Sequence, residues 1–267
     1  MLNCSRKSRA RLLVASALAA LVLLGSRPAS AADTGTGTIK GRLVWGGAEA
    51  LKSTVLVAKG DANKKDSKVC AAEGDLLSKE LVVDPKTKGV ASGFAYLVKP
   101  KGKNADAEKA LVAKTGKVEI DQKSCEFIPH SMAFHQDQKL LFKSSDPVNH
   151  NIRYSGFAIA AGNVALPPTG QFEVKLKADS RPISLNCDIH PWMTGKMMVF
   201  DHPFFTVTGD DGTFEIKGVP AGEENIVLWH EKVGFVTTGK AKGQAVKVEA
   251  GKTVDIGDVK IDPKAVK

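Results

Sequence analysis

From residue 37 to residue 201 the sequence returns again and again to short runs of β-branched, aliphatic and aromatic residues. These are GTIKGRLVW (37–45), ELVVD (80–84), ASGFAYLVK (91–99), GKVEID (116–121), KLLFKSS (139–145), FEVKL (172–176), PISLN (182–186) and KMMVFD (196–201). Each is five to nine residues long and is closed by Gly, Pro, Asp or Asn. Runs of this length and partial alternation predict strands joined by turns, and so many of them predict antiparallel sandwiches. Helical periodicity is weak except in NADAEKALVAK (104–114), which predicts a short linking helix. The fold class expected is therefore all-β.

The first 31 residues do not belong to that pattern. Arg6, Lys7, Arg9 and Arg11 precede an apolar run of 14 residues from Leu12 to Gly25, and the small-residue site Ala29-Ser30-Ala31 follows. This is the layout of a secretory signal peptide cleaved after Ala31, since a membrane span needs roughly 20 apolar residues. Without Arg27 and the four residues above, five positive charges and no negative ones are lost, so the net charge falls from +9 to +4. The remaining lysines alternate with Asp, Gly and Ala in solvated loops, without the interleaved aromatics of a nucleic-acid surface. The mature chain is expected in the periplasm or outside the cell, with no membrane span and no nucleic-acid partner. Cys4 leaves with the leader, and Cys70, Cys125 and Cys187 remain. An odd count in an oxidising compartment leaves one thiol over. By elimination Cys70 pairs with Cys125, and Cys187 stays free.

The last third contains TGDDGTFEIKGVPAGEENIVLWHE (208–231), in which Asp211-Gly212 signals a tight hairpin between two strands. This stretch resembles the small transthyretin-like or carboxypeptidase-regulatory-like sandwich, and that family also carries strands like GTIKGRLVW and SGFAYLVKP. Those pieces stand far upstream. The expected organisation is a discontinuous, Ig-like or transthyretin-like sandwich built from residues 33–115 and 202–267, with a second domain at 116–201 inserted into it. Three consecutive modules are the other arrangement open to this sequence.

The residues that carry chemistry lie in LNCDIHPWMTGKM (185–197) and SSDPVNHNIRY (144–154). Cys187, His190 and Met193 offer a thiolate, an imidazole and a thioether within seven residues, and His150 supplies a second imidazole from another loop. Two histidines and a cysteine in a plane, with a weak axial methionine, form the ligand set of a blue-copper site. With those motifs in view, residues 116–201 resemble a cupredoxin, most of all the amicyanin and pseudoazurin branch, in its Greek-key sandwich. The resemblance implies one type 1 copper held by His150, Cys187 and His190, with Met193 as the axial ligand. It also implies that Asn151 ties the ligand loops together through hydrogen bonds. The partly exposed edge of His190, bordered by Pro191 and Trp192, would then pass electrons. Cys125, His130 and His135 are not standard in that family.

Other readings stay open at individual residues. Cys187 could be a buried small hydrophobe or a half-cystine, and Met197 or Met198 could replace Met193, although in KMMVF they suit alternate packing. His130 and His135 read as structural, and His202 and His230 as parts of the flanking sandwich and its interface with the inserted domain. Asp210 and Asp211 fall short of a calcium ligand set. No catalytic triad, carboxylate pair or haem motif is present, so no enzyme activity is expected. The function expected is one-electron transfer with an extracytoplasmic redox protein. The alternatives are copper binding and delivery without a redox role, or a structural or carbohydrate- or protein-binding sandwich whose cupredoxin part is degenerate.

Overall fold

Period-two alternation of apolar and polar residues sets the strands. In Thr213–Pro220, Phe214, Ile216 and Val219 turn inward while Thr213, Glu215 and Lys217 face solvent. The structure, a computed structural model of the 267-residue chain, describes Met1 and residues 35–49, 51–115 and 117–266. Met1 aside, the leader expected over residues 1–31 lies outside the described residues. What is described is an all-β molecule, with the helix expected near 104–114 found at Ala105–Thr115.

Two sheets are built from the ends of the chain. Thr36–Trp45 is the middle strand of one, antiparallel to Thr213–Pro220 and parallel to Thr253–Ile261. In the other, Phe94–Leu97 lies between Phe205–Val207 and Gly222–His230, and the latter also pairs with Gly234–Phe235 and Gln244–Val248. Ile39, Leu43, Leu97, Phe214, Ile226 and Leu228 fill the space between them. Residues 117–200 make two further sheets. One has the order Gly162–Leu166, His150–Ser155, Ile183–Asn186, Thr194–Phe200 and Ser131–His135; the other has Gln171–Val174, Lys139–Ser144, Lys117–Lys123 and Glu126–Ile128. Phe127, Phe134, Phe142, Ile152 and Leu185 pack between these two. Phe94, Tyr96 and Val227 of one sandwich meet Met198 and Phe200 of the other in a shared cluster. Met197 and Met198 thus point to opposite sides of their strand, each into a core.

Two expectations from sequence change, and one unit is new. ELVVD forms no strand: Val83 makes a single bridge to Val90, because Asp84 turns the chain by accepting the backbone N–H groups of Lys86 and Thr87. Asp211-Gly212 is a tight turn but not a hairpin, since the strands on either side of it, Phe205–Val207 and Thr213–Pro220, lie in different sheets. Gly212 has φ +78°, and a Cβ there would stand 2.2 Å from the carbonyl of Leu43, so the corner needs glycine. Residues 55–77 form a small unit unforeseen in sequence. Val55–Val57 pairs with Leu76–Leu77, the one-turn helix Ser67–Cys70 lies between them, and Val57, Cys70, Ala71 and Leu76 enter the core of the 117–200 sandwich.

Candidate metal centre

Ile183–Asn186 is a central strand, paired on one side with His150–Ser155 and on the other with Thr194–Phe200, and Asn186 lies opposite both Arg153 and Thr194. Cys187 leaves the end of this strand beside the start of its neighbour, where His150 and Asn151 stand. The loop that follows closes on itself: the Met193 N–H donates to the His190 carbonyl at 2.8 Å, and the Cys187 N–H donates to the Met193 carbonyl at 3.2 Å. This brings His190 back over Cys187.

Asn151 locks the two loops. Its Oδ1 accepts the backbone N–H groups of Asp188 (2.6 Å) and Ile189 (3.3 Å) and lies 3.4 Å from the Cys187 sulfur. Its Nδ2 donates to Asn163 Oδ1 at 2.8 Å and to Asp188 Oδ2 at 3.0 Å. Arg153 donates to the second oxygen of Asp188 at 2.7 Å, which helps hold the Asp188 carboxyl below its ordinary range.

His150 Nδ1, His190 Nδ1 and Cys187 Sγ converge on one point. The two nitrogens are 3.0 Å apart, and the sulfur is 3.9 Å from His150 and 3.7 Å from His190. None of the three residues is more than 2% exposed. The opposite ring nitrogens are each held by a carboxylate: His150 Nε2 by Asp146 and His190 Nε2 by Asp66, both at 2.9 Å. A hydrogen on each Nε2 satisfies those bonds and leaves a lone pair on each Nδ1. Two such lone pairs and a sulfur facing each other in a dry pocket repel unless a cation lies between them. The triangle has room for one at about 2.0 Å from each nitrogen and about 2.3 Å from the sulfur, ordinary first-row metal distances. One thiolate with two imidazoles suits copper, and the sulfur suits Cu(I) in particular.

Burial raises the Cys187 thiol, but hydrogen bonds from His150 and His190 outweigh it and bring it down to about 6. Burial likewise works against charge on His150, yet its bonds to Asp146 and Cys187 push it up to about 9. Asp146 is also desolvated, and the bonds from His150 and from the backbone of Cys125 and Ser124 keep its carboxyl below the usual range.

The structure therefore brings together His150, Asn151, Cys187 and His190, and it buries Met193 in the same core. Cys70 and Cys125 are joined by a disulfide, and Cys187 is the free cysteine among the described residues. The partly exposed edge expected at His190 is corrected. His190 is fully buried, because Asp66 and its segment stand on the edge that was expected to be open. Trp192 lies tilted against it, with 5.3 Å between ring centroids and 56° between the planes, and Lys64 lies over the Trp192 ring at 5.9 Å. His130 and His135 lie apart from the centre, His130 bonded to Glu231 and His135 facing Glu108. Asp146, Asp66, Asp188 and Asn163 were missed in the sequence. Asp146 had a local signal, four residues ahead of His150, whereas Asp66 is 124 residues from His190 and had none.

No family model matches the sequence, and a search of curated proteins finds no match. Solved structures do. A copper-containing nitrite reductase from Thermus scotoductus SA-01 aligns with 32% of this chain at 15% identity and a TM-score of 0.29; the aligned part is 22% of that protein. The reduced Cu(I) form of an amicyanin variant aligns over 32% of this chain and 83% of its own, with the same identity and TM-score. A purple cupredoxin from Nitrosopumilus maritimus aligns over 31% of this chain and 99% of its own at 17% identity, with a TM-score of 0.27. Each is a likeness over about a third of the chain.

Proposed function

We propose that this chain binds one copper ion through His150, Cys187 and His190, that Met193 would be a weaker fourth ligand, and that the protein serves as a one-electron carrier for a redox protein outside the cytoplasm. The observation that carries this reading is the meeting of two Nδ1 lone pairs with the Cys187 sulfur in a buried triangle whose outer nitrogens are both fixed by carboxylates. Copper would supply a Cu(I)/Cu(II) couple there. The protein supplies the rest. Asp146 and Asp66 fix the tautomer and tilt of the two rings, and Asn151 keeps the ligand loops at one separation in both charge states. The surrounding core excludes water. Donors that do not move between the two states lower the reorganisation each electron transfer requires.

This reading gives the chain no catalytic residue, because the ligand set and its buried shell leave no open position for a substrate. Export rests on the sequence layout of residues 1–31. No helix among the described residues is long and apolar enough to cross a membrane. The flanking sheets are assigned on sequence to a transthyretin-like support for the metal-binding sandwich.

The visible spectrum tests the function. The copper-loaded chain should show an intense thiolate-to-copper band that ascorbate bleaches and oxygen or ferricyanide restores, and Cys187→Ser should abolish it. Tight Cu(I) binding with no such band in the oxidised protein would favour copper delivery instead. Failure to hold copper in stoichiometric amount would leave only a structural protein.

A further inference from the structure

Residues 58–72 belong by sequence to the first part of the chain, yet they lie on the metal centre. Three attachments hold them there. The disulfide joins Cys70 to Cys125, Asp66 accepts a hydrogen bond from His190 Nε2, and the Lys64 ammonium lies over Trp192. Asp66 occupies the N-cap position of the helix Ser67–Cys70, where an aspartate side chain ordinarily accepts one of the helix's own N–H groups. It makes no such bond. Its backbone takes the left-handed region at φ 53°, and its carboxylate goes to His190. A residue that gives up its local cap for a distant imidazole is held there by the tertiary contact.

The disulfide lies beside the same ring. Cys70 and Cys125 sulfurs and a His190 ring nitrogen are all within 4.8 Å of one another. Its two ends also lead to the two carboxylates. The Cys70 N–H donates to the Asp66 carbonyl at 2.9 Å, and the Cys125 N–H donates to the Asp146 carboxylate at 2.8 Å. One cross-link therefore connects the residue that holds His190 with the residue that holds His150. Beside the disulfide a cavity of about 190 Å³ is bounded by Leu76 and Glu80 on one side and by Cys125, Trp192 and Met193 on the other. Of residues 58–72 only Ser67, Cys70 and Ala71 are buried, so the three attachments rather than a broad apolar contact hold the segment down.

We propose that residues 58–72 are an in-chain cover of the metal centre. Asp66 is a positioning residue that orients His190, the Cys70–Cys125 tether keeps it seated, and the ion reaches or leaves its ligands only when this segment lifts. The inference rests on the metal-binding reading above, but covering Cys187 and His190 is a property of the metal-free chain too, and that separates the two. A tether of this kind acts by removing the separated states open to an unlinked segment.

The test is carried out on the full chain, as wild type, Asp66→Ala, Asp66→Asn and the double variant Cys70→Ser/Cys125→Ser. In the metal-free proteins, alkylation of Cys187 by N-ethylmaleimide is followed by mass spectrometry of its own peptide. In the copper-loaded proteins, release of Cu(I) to a chelator is timed. Both rates should rise about tenfold or more in Asp66→Ala and in the double variant, with far-ultraviolet circular dichroism unchanged. Asp66→Asn keeps an oxygen that accepts from His190 Nε2 and should stay near wild type. Equal rates in wild type, Asp66→Ala and the double variant would overturn the cover. If the double variant fails to fold, the contrast between Asp66→Ala and Asp66→Asn decides alone. A clear alkylation contrast in a chain that holds no copper would keep the cover and overturn the metal reading.

Discussion

Asn151 shows what one side chain contributes to the centre. Replacing it with alanine takes the acceptor from the Asp188 and Ile189 N–H groups, while the exposed Asp188 carboxylate keeps Arg153 and Asn163. The expected cost is about 1–2 kcal/mol, read as a lowered melting temperature, together with a shifted or broadened thiolate-to-copper band. Proton balance is a second test at this scale. Between pH 6 and pH 9 the metal-free pair holds a Cys187 thiolate and a protonated His150, so loading should release about one proton per ion from it. Below pH 6 that rises toward two, because the thiol must also lose its proton. Calorimetry in buffers of different ionisation enthalpy reads the number. A third test concerns His230, fully buried, its pKa held down to about 4 by desolvation. The folded chain then binds fewer protons than the unfolded chain below about pH 6.5. Stability should fall as the pH drops from 6.5 toward 4, by on the order of 3 kcal/mol, and His230→Gln should remove that part of the slope in melting curves. At this scale the sequence shows Cys187, His190 and Met193, because they share one loop, and it pairs them with His150 through the chemistry of copper. It hides Asp66, because a carboxylate that arrives from 124 residues away leaves no spacing to read.

Among the elements, the small unit at Val55–Val57, Ser67–Cys70 and Leu76–Leu77 changes what the ligand loop can do. Without it, His190→Gly would leave a hole open to added imidazole. Beneath Asp66 and the disulfide the hole is roofed. Imidazole should therefore restore the thiolate-to-copper band of copper-loaded His190→Gly slowly, and restore it faster once Asp66→Ala is added. Stopped-flow absorbance gives both rates, and equal rates would speak against the roof. The strands were legible wherever an alternating run faces a core, as in Thr213–Pro220. ELVVD misled because its valines are β-branched, while Asp84 bends the backbone before a second strand can pair with it. Residues 55–77 were illegible for the opposite reason: the strands are two and three residues long, and the disulfide and neighbouring core that hold them lie elsewhere in the chain.

For the molecule as a whole, the sheets that carry His150, Cys187 and His190 occupy residues 117–200, while the strands before and after them, apart from the pair Val55–Val57 and Leu76–Leu77, share two other sheets. In residues 58–72, the segment that contacts His190, the exposed Lys59, Lys64, Lys65 and Lys68 outnumber the carboxylates of Asp61 and Asp66. An anionic oxidant such as ferricyanide should therefore react with the Cu(I) protein faster as ionic strength falls, while a cationic cobalt(III) chelate should show the opposite trend. Matching salt dependences would show that electrons leave by some other face. The central claim is that one sulfur and two imidazole nitrogens share a single ion, and X-ray absorption at the copper edge of the loaded chain tests it most directly. The account predicts one sulfur scatterer at about 2.3 Å and two nitrogens at about 2.0 Å, with the sulfur lost in Cys187→Ser. A shell of nitrogen and oxygen alone, unchanged by that substitution, would contradict it.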